Sequence, residues 1–388
     1  MKVDPEFDAL ILSKVELEVL GNRYASRRNA LALLKERETL GEDAEQILAE
    51  FEKHAGKDRV RFASALETLA DPLCVAELHY SIAEHSITRS RLAWPQREDM
   101  PLAVLTHRMD GFALTTRSKG EIEALLARVL AVDAGLASAN LSVSLPAVTT
   151  LVGLAVMDAF RFSQLQSWLT HTAPPQSFSP ANVVERIQDA KAQDFRWPLL
   201  FFDKVLPNDA MASIEDAEVV QALRDLEDAG VILSLADGES DPACFAFSDA
   251  GELIADGLLH AASKIALRVS RLIAEGEAGH EALLWVRDPN FLWLFDVAGQ
   301  EGVIASLDRQ AWKDLLSQIL NPQLDLVDEN QAEAGSQEEQ DLRDDNEMHA
   351  AATIMQSDLE LQLARCPKCA SLVKPGNRFC PTCGAPLE

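Results

Sequence analysis

Two Cys-x-x-Cys pairs near the carboxyl end of the sequence constrain what this chain can fold into more than any other feature. Cys366 and Cys369 form one pair, Cys380 and Cys383 form the other, and ten residues separate the pairs. Each two-residue gap allows a tight turn that directs both sulfur atoms at one ion, and four thiolates complete a tetrahedral shell around zinc. No coordination position is left for a substrate. We therefore predict one structural Zn²⁺ per chain, whose binding supplies the folding energy of a segment too short to build its own core.

Other uses of these cysteines remain open at the level of the sequence. The same four thiols could form two disulfides, but no charged segment followed by an apolar stretch and a small-residue cleavage site points to export. A redox-active dithiol is the other alternative, although a thioredoxin-like βαβ context is missing. Cys74 and Cys244 each lie alone in apolar surroundings, and we expect both to be core residues.

The sequence around the second cysteine pair resembles a known small domain. The run FCPTCGAPL, residues 379–387, is similar to that of the short zinc-ribbon domains found at the ends of many bacterial and archaeal proteins. The resemblance implies a zinc ribbon at 366–388, a module that identifies no activity by itself. Lys368, Lys374 and Arg378 make this segment the basic part of an acidic chain, and we expect them to contact a partner.

The overall charge disfavours one class of partner. The 388 residues carry a formal net charge of −27, whereas nucleic-acid affinity comes mainly from cationic groups that displace counterions. The longest apolar run, Leu145 to Met157, is interrupted by Pro146 and Gly153 and is too short to span a bilayer. We expect a soluble, cytoplasmic, bacterial protein that has no transmembrane span and no general affinity for nucleic acid.

Local composition divides the chain into segments. Between Asp325 and Glu347 ten residues are acidic and only Arg343 is basic, which predicts a disordered acidic linker at 322–348. Helix-forming residues at 349–365 predict a short helix that leads into the ribbon. A milder break at Pro174-Pro175 separates two larger bodies, 1–170 and 178–321.

These two bodies show the same order of predicted elements, which indicates an internal duplication. In each body an amphipathic helix ends at a glycine, Gly56 or Gly230, and a strand and a second helix follow. In the later copy Ser248 is the predicted N-cap of that second helix. An apolar strand, a hairpin and a terminal helix then repeat. In the first body these are Val75–Ile82, Leu102–Thr116 around Asp110-Gly111, and Glu121–Leu130. In the second body they are Ile265–Ile273, Leu283–Phe295 around Pro289-Asn290, and Arg309–Leu320. Chance similarity between generic α+β patterns is the alternative.

The order of helix, strand, hairpin-like wing and helix is typical of winged-helix domains, many of which bind DNA. The charge of these helices argues against that function. The helix at 216–229 offers Gln221 and Arg224 amid five acidic residues, whereas reading of base edges needs several cationic or amide side chains. The predicted fold class is therefore α+β: two pseudo-repeated winged-helix-like units, each with an antiparallel sheet, followed by the acidic linker and the four-cysteine zinc ribbon.

This arrangement resembles the ESX (type VII) secretion-associated chaperones called EspG. The features that carry the resemblance are Leu66-x-x-Leu69-Ala70-x-Pro72, the two hairpins, and the Leu125-Leu126 and Leu315-Leu316 pairs of the terminal helices. The resemblance would span residues 1–321 and implies a chaperone that binds protein partners. The acidic linker and the zinc ribbon depart from the usual plan of that family.

The sequence offers no motif for catalysis. The eight histidines are scattered, and His79 and His85 lack the spacing of a metal-binding helix. Neither a Gly-x-Ser-x-Gly elbow nor a phosphate-binding glycine loop is present. We expect a non-enzymatic protein, while an enzyme with an unrecognised pocket remains an alternative.

Aromatic residues concentrate in the second hairpin and the helix that follows it. Alternation along the strand places Phe291, Trp293 and Phe295 on one side. The plain interpretation is a sheet face packed under the terminal helix, and the alternative is a groove that binds a partner. Together these features predict an adaptor, scaffold or secretion-type chaperone that binds an unidentified protein. A transcription-associated regulator that contacts nucleic acid through the winged-helix units or the ribbon is the second hypothesis.

Overall fold

A computed structural model gives the structure of this chain. It describes residues 1–34, 43–82, 86–97, 99–189, 196–207, 210–211, 213–235, 244–274, 277–322, 364–365 and 372–373. The predicted acidic linker after residue 322, the predicted helix up to residue 363, and the four predicted zinc ligands lie outside these residues. Contacts divide the chain into two compact units, Met1–Leu324 and Asp325–Glu388.

The first unit contains helices and strands in comparable number. The helices are α1 Lys14–Tyr24, α2 Ala44–Ala55, α3 Arg59–Ala70, α4 Lys119–Val129, α5 Ala147–Thr170, α6 Pro180–Asp189, α7 Pro198–Asp203, α8 Asp216–Asp228, α9 Asp249–Leu259 and α10 Arg309–Leu320. The strands are β1 Lys2–Asp4, β2 Ala9–Leu12, β3 Cys74–Ile82, β4 Ser86–Trp94, β5 Leu102–Arg108, β6 Gly111–Arg117, β7 Ser142–Pro146, β8 Ile232–Ser234, β9 Phe245–Phe247, β10 Ser263–Ala274, β11 Glu277–Arg287, β12 Leu292–Ala298 and β13 Glu301–Leu307. The α+β prediction is confirmed.

One large antiparallel sheet organises the first unit. Within the described residues it has eleven strands in the order β1-β2-β6-β5-β4-β3-β10-β11-β12-β13-β7. Strands β3 and β10 form its centre, and their register pairs Leu78 with Leu267. Strand β7 pairs with β13 at the far edge of the sheet. Because β7 belongs to the predicted body 1–170, this body contributes a strand to the half of the sheet that residues 178–321 mainly form.

The two predicted bodies are therefore halves of one sheet and belong to one compact unit. A single hydrophobic core crosses the β3–β10 junction and includes Leu78, Leu267, Leu126 of α4 and Leu316 of α10. The break near Pro174-Pro175 marks a surface loop and not a boundary between separately packed bodies. Local composition could not show this, because the pairing of β3 with β10 joins residues almost two hundred positions apart.

The two halves nevertheless repeat an order of elements. Strands β3 to β6 form a meander that α4 follows, and β10 to β13 form a meander that α10 follows. Both predicted hairpins are confirmed, the first by the pairing of Arg108 with Gly111 and the second by the pairing of Arg287 with Leu292. Gly111 has a φ of +139°, which explains the glycine at this turn. Duplication of an ancestral half remains a proposal that rests on this shared order.

The segment before each meander differs between the halves. In the second half α8, β8, β9 and α9 follow the predicted order, and Ser248 caps α9 by accepting a hydrogen bond from the backbone N–H of Gly251. In the first half the predicted strand after Gly56 is wrong. A 3₁₀ turn at Gly56–Asp58 leads directly into α3, because Phe62, Leu66 and Leu69 are buried together only at helical spacing.

Helix α5 carries the long apolar run noticed in the sequence. Its first half, from Ala147 to Asp158, is almost wholly buried against the sheet and the helices of the second half, whereas its last turns are largely exposed. Among the described helices, α5 included, we find none whose length and apolar character would allow it to cross a membrane.

The second unit is described at only two short strands. These are β14 Ala364–Arg365 and β15 Leu372–Val373, which pair antiparallel with Arg365 opposite Leu372. The predicted helix at 349–365 therefore does not include its last two residues. Strand pairing at this point brings together the residues on either side of the first cysteine pair.

Candidate functional site

The predicted zinc ligands Cys366, Cys369, Cys380 and Cys383 lie outside the described residues, as do Lys368, Lys374 and Arg378. The other two cysteines lie in the first unit as free thiols: Cys74 is buried and Cys244 is partly exposed. Burial raises the pKa of the Cys74 thiol to about 11, so it is protonated at neutral pH. In the part of the chain that the structure describes, no group of three His, Cys, Asp or Glu side chains is placed to hold a metal ion.

The aromatic residues of the second hairpin lie in the core. Phe291, Trp293 and Phe295 are all buried. Asp288 fixes the turn, because its carboxylate accepts hydrogen bonds from the backbone N–H of Phe291 at 2.8 Å and from the Trp293 indole N–H at 2.9 Å. A partner could contact these three rings only if the layer above them opened.

The sequence predicted that the terminal helix α10 covers these rings, but α10 packs on the other face of the sheet. Leu292 and Leu294, which alternate with Trp293, are the residues of β12 that share a core with Trp312 of α10. Trp293 points to the opposite face of the sheet, where Gly257 of α9 lies against its indole ring. Alternation was therefore predicted correctly, but the side of the sheet that faces α10 was assigned wrongly, because the sequence does not show which face a helix covers.

An open cleft lies where the second half of α5 meets α6, β9 and the proline-containing loop. Its volume is about 630 Å³, and four phenylalanines contribute to its walls: Phe160, Phe162, Phe178 and Phe247. We call it the α5 cleft. Polar side chains at its walls include Glu185, Arg186 and Glu252.

The aromatic wall of the α5 cleft is held together by ring contacts and a short β-bridge. Phe160 and Phe247 meet edge to face with ring centroids 5.1 Å apart, and Phe178 lies 5.4 Å from Phe247. Phe178 and Phe245 exchange two backbone hydrogen bonds of 2.9 Å, which fix the loop after Pro174-Pro175 on β9. The loop thus becomes a wall of the cleft because Phe178 anchors it.

Helix α6 forms the opposite wall. Val183 and Ile187 bury its inner face, and the Asn182 side chain accepts a hydrogen bond from the backbone N–H of Ser179 at its start. Arg186 lies over the Phe162 ring, with its guanidinium carbon 4.2 Å from the centroid, and also pairs with Asp189. The charge of Arg186 is therefore already engaged, and Glu185 and Glu252 remain to set the polarity of the cleft.

Exposed apolar side chains also occur along the last turns of α5. Phe162 is 40 % exposed, Trp168 54 % and Leu169 83 %. We call these three residues the apolar stripe. Phe162 and Leu169 are seven residues apart and therefore lie on the same side of the helix, so Leu169 exposes an apolar side chain on the side of α5 from which Phe162 enters the cleft.

Sequence reasoning missed this site. Its phenylalanines come from three separated segments, and each one alone looks like an ordinary core or loop residue. The available signals were Phe178 next to Pro174-Pro175 and the run Trp168-Leu169 just before a predicted loop, since large apolar residues are uncommon in exposed loops and helix ends.

Comparison with known proteins defines one part of the chain. Residues 362–387 match a zinc-ribbon domain. The predicted zinc ribbon is thereby confirmed as a domain, and with it the zinc-binding character of this segment. No curated protein matches the sequence.

Among solved structures, the chain is similar to that of the Mycobacterium tuberculosis type VII secretion system chaperone EspG5 in complex with the PE25-PPE41 dimer. The TM-score is 0.39 and the identity 10 %, over 80 % of this chain and 95 % of that chain. This is a weak structural resemblance to an EspG chaperone, the family that the sequence resembles.

Proposed function

We propose that this protein is a non-enzymatic adaptor whose body holds a protein partner in the α5 cleft and whose carboxyl end carries a structural zinc ribbon. The observation that carries the proposal is the α5 cleft with its four phenylalanines, together with the exposed apolar side chains on the last turns of the same helix. A cleft lined by four phenylalanines, with the exposed Leu169 on the same side of α5 as Phe162, is suited to apolar side chains of a polypeptide. Shielding such a segment until it is handed on, as a secretion chaperone does, is one form of this activity.

The polar groups of the cleft specify the partner further. Because Arg186 stacks on Phe162 and pairs with Asp189, the carboxylates of Glu185 and Glu252 dominate the charge that a ligand would meet. A partner segment that fits this surface has apolar anchors and at least one Lys or Arg. An amphipathic helix with a basic edge meets both requirements.

The zinc ribbon adds a second binding module to the same chain. In a closed site of four cysteine thiolates, zinc stabilises the fold and does no chemistry on a substrate. A ribbon joined through the acidic segment 322–348 works near whatever the body holds, because a tether raises the effective concentration of the module that it carries. We place this activity in the cytoplasm, where reducing conditions keep the cysteine thiols available as zinc ligands.

Affinity capture from the native host tests the proposal with a matched pair of variants. Leu169→Ser removes an 83 % exposed side chain of the apolar stripe, and Val60→Ser removes a 79 % exposed side chain of α3, outside the cleft. Both residues are mostly solvated, so neither change should unfold the protein. We expect wild type and Val60→Ser to retain the same stoichiometric partner, and Leu169→Ser to bind it about tenfold more weakly.

Equal binding of that partner by Leu169→Ser would show that the cleft is not the binding site. If the retained material were mixed-sequence DNA that salt releases, the second hypothesis, a transcription-associated regulator, would replace the adaptor.

A further inference from the structure

Strand β7, at one edge of the large sheet, presents backbone groups that the described part of the chain does not use. Within the described residues β7 is the outermost strand of its side and pairs with β13 alone. Just before β7, the Leu141 carbonyl accepts a hydrogen bond of 2.8 Å from the backbone N–H of Ser306. Hydrogen-bonding direction alternates along a strand, so the odd-numbered residues of β7 bond to β13. The N–H and C=O groups of Ser142 and Ser144 therefore point away from the sheet.

This free edge ends on both sides within a few residues. Asn140 and Pro146 lie equally far from Val143 along the chain. The N–H of Asn140 already donates to the Ser138 hydroxyl at 3.1 Å, and a φ of +48° takes Asn140 out of strand geometry. Pro146 has no N–H, and its carbonyl accepts from the Thr150 hydroxyl at 3.3 Å. Between these ends the described structure leaves two donors and two acceptors, placed symmetrically about Val143.

The side chains of β7 carry no charge, in contrast to those of the opposite edge strand. There β1 holds Lys2 and Asp4, which pair with Asp110 and Arg108. Charged side chains of this kind keep other strands from adding to an edge. Strand β7 has the sequence SVSLP, in which both serines are exposed and Val143 is half-buried. It thus lacks the charges that protect β1, and an added strand would cover Val143.

The symmetry of this edge favours a second copy of the chain as its occupant. In an antiparallel pair centred on Val143, Ser142 of one copy lies opposite Ser144 of the other, and each such pair exchanges two backbone hydrogen bonds. Val143 then meets its own counterpart as an uncharged, β-branched pair. A charged side chain at this centre would meet a like charge, and β7 has none. An unrelated strand would need a matching length and uncharged side chains of its own, whereas a second copy supplies both by identity.

We propose that β7 pairs antiparallel with β7 of a second copy of this chain, which joins two sheets edge to edge in a two-fold dimer. The lining of the α5 cleft includes no residue of β7 among the described residues, so this inference does not rest on the proposed function. Each dimer would carry two clefts and two zinc ribbons, and a partner with two binding segments would bind it more tightly than it binds one copy.

Sedimentation velocity of the full chain measures the association directly. We expect a dimer whose fraction rises with protein concentration and whose dissociation constant falls as salt is added. The pairing itself uses no side-chain charge, whereas two chains with a net charge of −27 each repel one another until salt screens them. A wild-type chain that stays monomeric, or a dimer that dissociates as salt is added, would overturn the proposal.

Val143→Lys and Val143→Glu test the two-fold axis. Each variant places two like charges opposite one another at the centre of the pair and should raise the dissociation constant about tenfold. Mixing the two variants should restore the dimer, because Lys then meets Glu, and a folding defect cannot produce that recovery. Val143→Thr is the matched control, because it is β-branched and uncharged, and it should dimerise like wild type. Dimers that persist in both charged variants, or no recovery on mixing, would show that β7 is not the interface.

Backbone hydrogen exchange tests the inter-chain bonds themselves. The amides of Ser142 and Ser144 should exchange more slowly in the concentrated wild-type chain than after dilution to the monomer, whereas the amide of Leu145, bonded to β13 in both states, should not change. Ser144→Pro removes an outward N–H without removing a bond to β13 and should weaken the dimer about tenfold. Ser144→Ala keeps that N–H and should dimerise like wild type. Equal exchange of both serine amides in dimer and monomer would overturn the proposal, even if a dimer formed through another surface.

Discussion

At the residue scale, a buried polar cluster links α5 to the segment that enters α7. Asp158 of α5 is buried and accepts a hydrogen bond from the backbone N–H of Leu199 at 2.8 Å. The carbonyl of Arg196 accepts from Arg161 at 2.6 Å and from Lys264 of β10 at 2.5 Å. These bonds place Trp197 beside Arg161, with the guanidinium carbon 5.2 Å from the ring. The cluster supports the part of α5 that continues into the cleft.

The pH dependence of stability follows from Asp158. Burial raises the pKa of this carboxyl to about 7 in the folded protein, against 3.8 for an exposed Asp. Between these values the folded state holds a proton that the unfolded state has lost, so the contribution of Asp158 to stability falls as pH rises from about 4 to about 7. We expect Asp158→Asn to remove a slope of up to about 1.4 kcal/mol per pH unit, measured by urea unfolding at several pH values.

Asp8→Asn is the control with the opposite sign. The hydrogen bond and charge of Arg61 lower the pKa of Asp8, so its contribution to stability is lost as pH falls below the ordinary range of an Asp. The two variants should therefore change the pH profile in opposite directions. Parallel changes would show that Asp158 is ionised and well paired throughout the range.

At the element scale, the packing of α9 on the sheet depends on one glycine. A Cβ at Gly257 would lie 2.2 Å from Nε1 of Trp293 and 2.6 Å from Oδ2 of Asp288, which is closer than atoms can approach. Gly257→Ala should therefore displace the indole from its hydrogen bond and lower the free energy of unfolding by about 2 to 3 kcal/mol. Guanidinium unfolding followed by tryptophan fluorescence measures the loss.

Gly120→Ala is the matched control, because Gly120 also lies in a helix but a Cβ added to it would have no neighbouring atom within 4 Å. Alanine favours the helix there, so the free energy of unfolding should stay constant or rise by up to about 1 kcal/mol. A small effect of Gly257→Ala, similar to that of Gly120→Ala, would mean that α9 is free to shift on the sheet.

The elements that the sequence predicted well are those with local signals. Asp110-Gly111 and Pro289-Asn290 marked the two hairpins, and Ser248 marked the start of α9, because each signal acts within a few residues. The pairing of β3 with β10 had no such signal, since an apolar strand does not show which strand it joins. For the same reason the cysteine spacing predicted a zinc site, whereas the α5 cleft could not be predicted from its separated phenylalanines.

At the scale of the whole molecule, the chain divides into two compact units. Residues Met1–Leu324 bury a continuous core across an eleven-stranded sheet within the described residues, and residues 362–387 match a zinc-ribbon domain. The central claim is that this protein binds partners, and that its zinc stabilises the carboxyl-terminal module alone. The body should then neither hold the metal nor depend on it.

Zinc content measured together with unfolding of the full chain tests this claim most directly. Elemental analysis should find about one zinc per chain, and Cys380→Ser with Cys383→Ser should abolish it while the thermal transition of the body stays unchanged. The matched variant, Cys74→Ser with Cys244→Ser, should keep its zinc, because these two thiols belong to the first unit. Zinc that remains after loss of Cys380 and Cys383, or a body that unfolds when zinc is lost, would contradict the account.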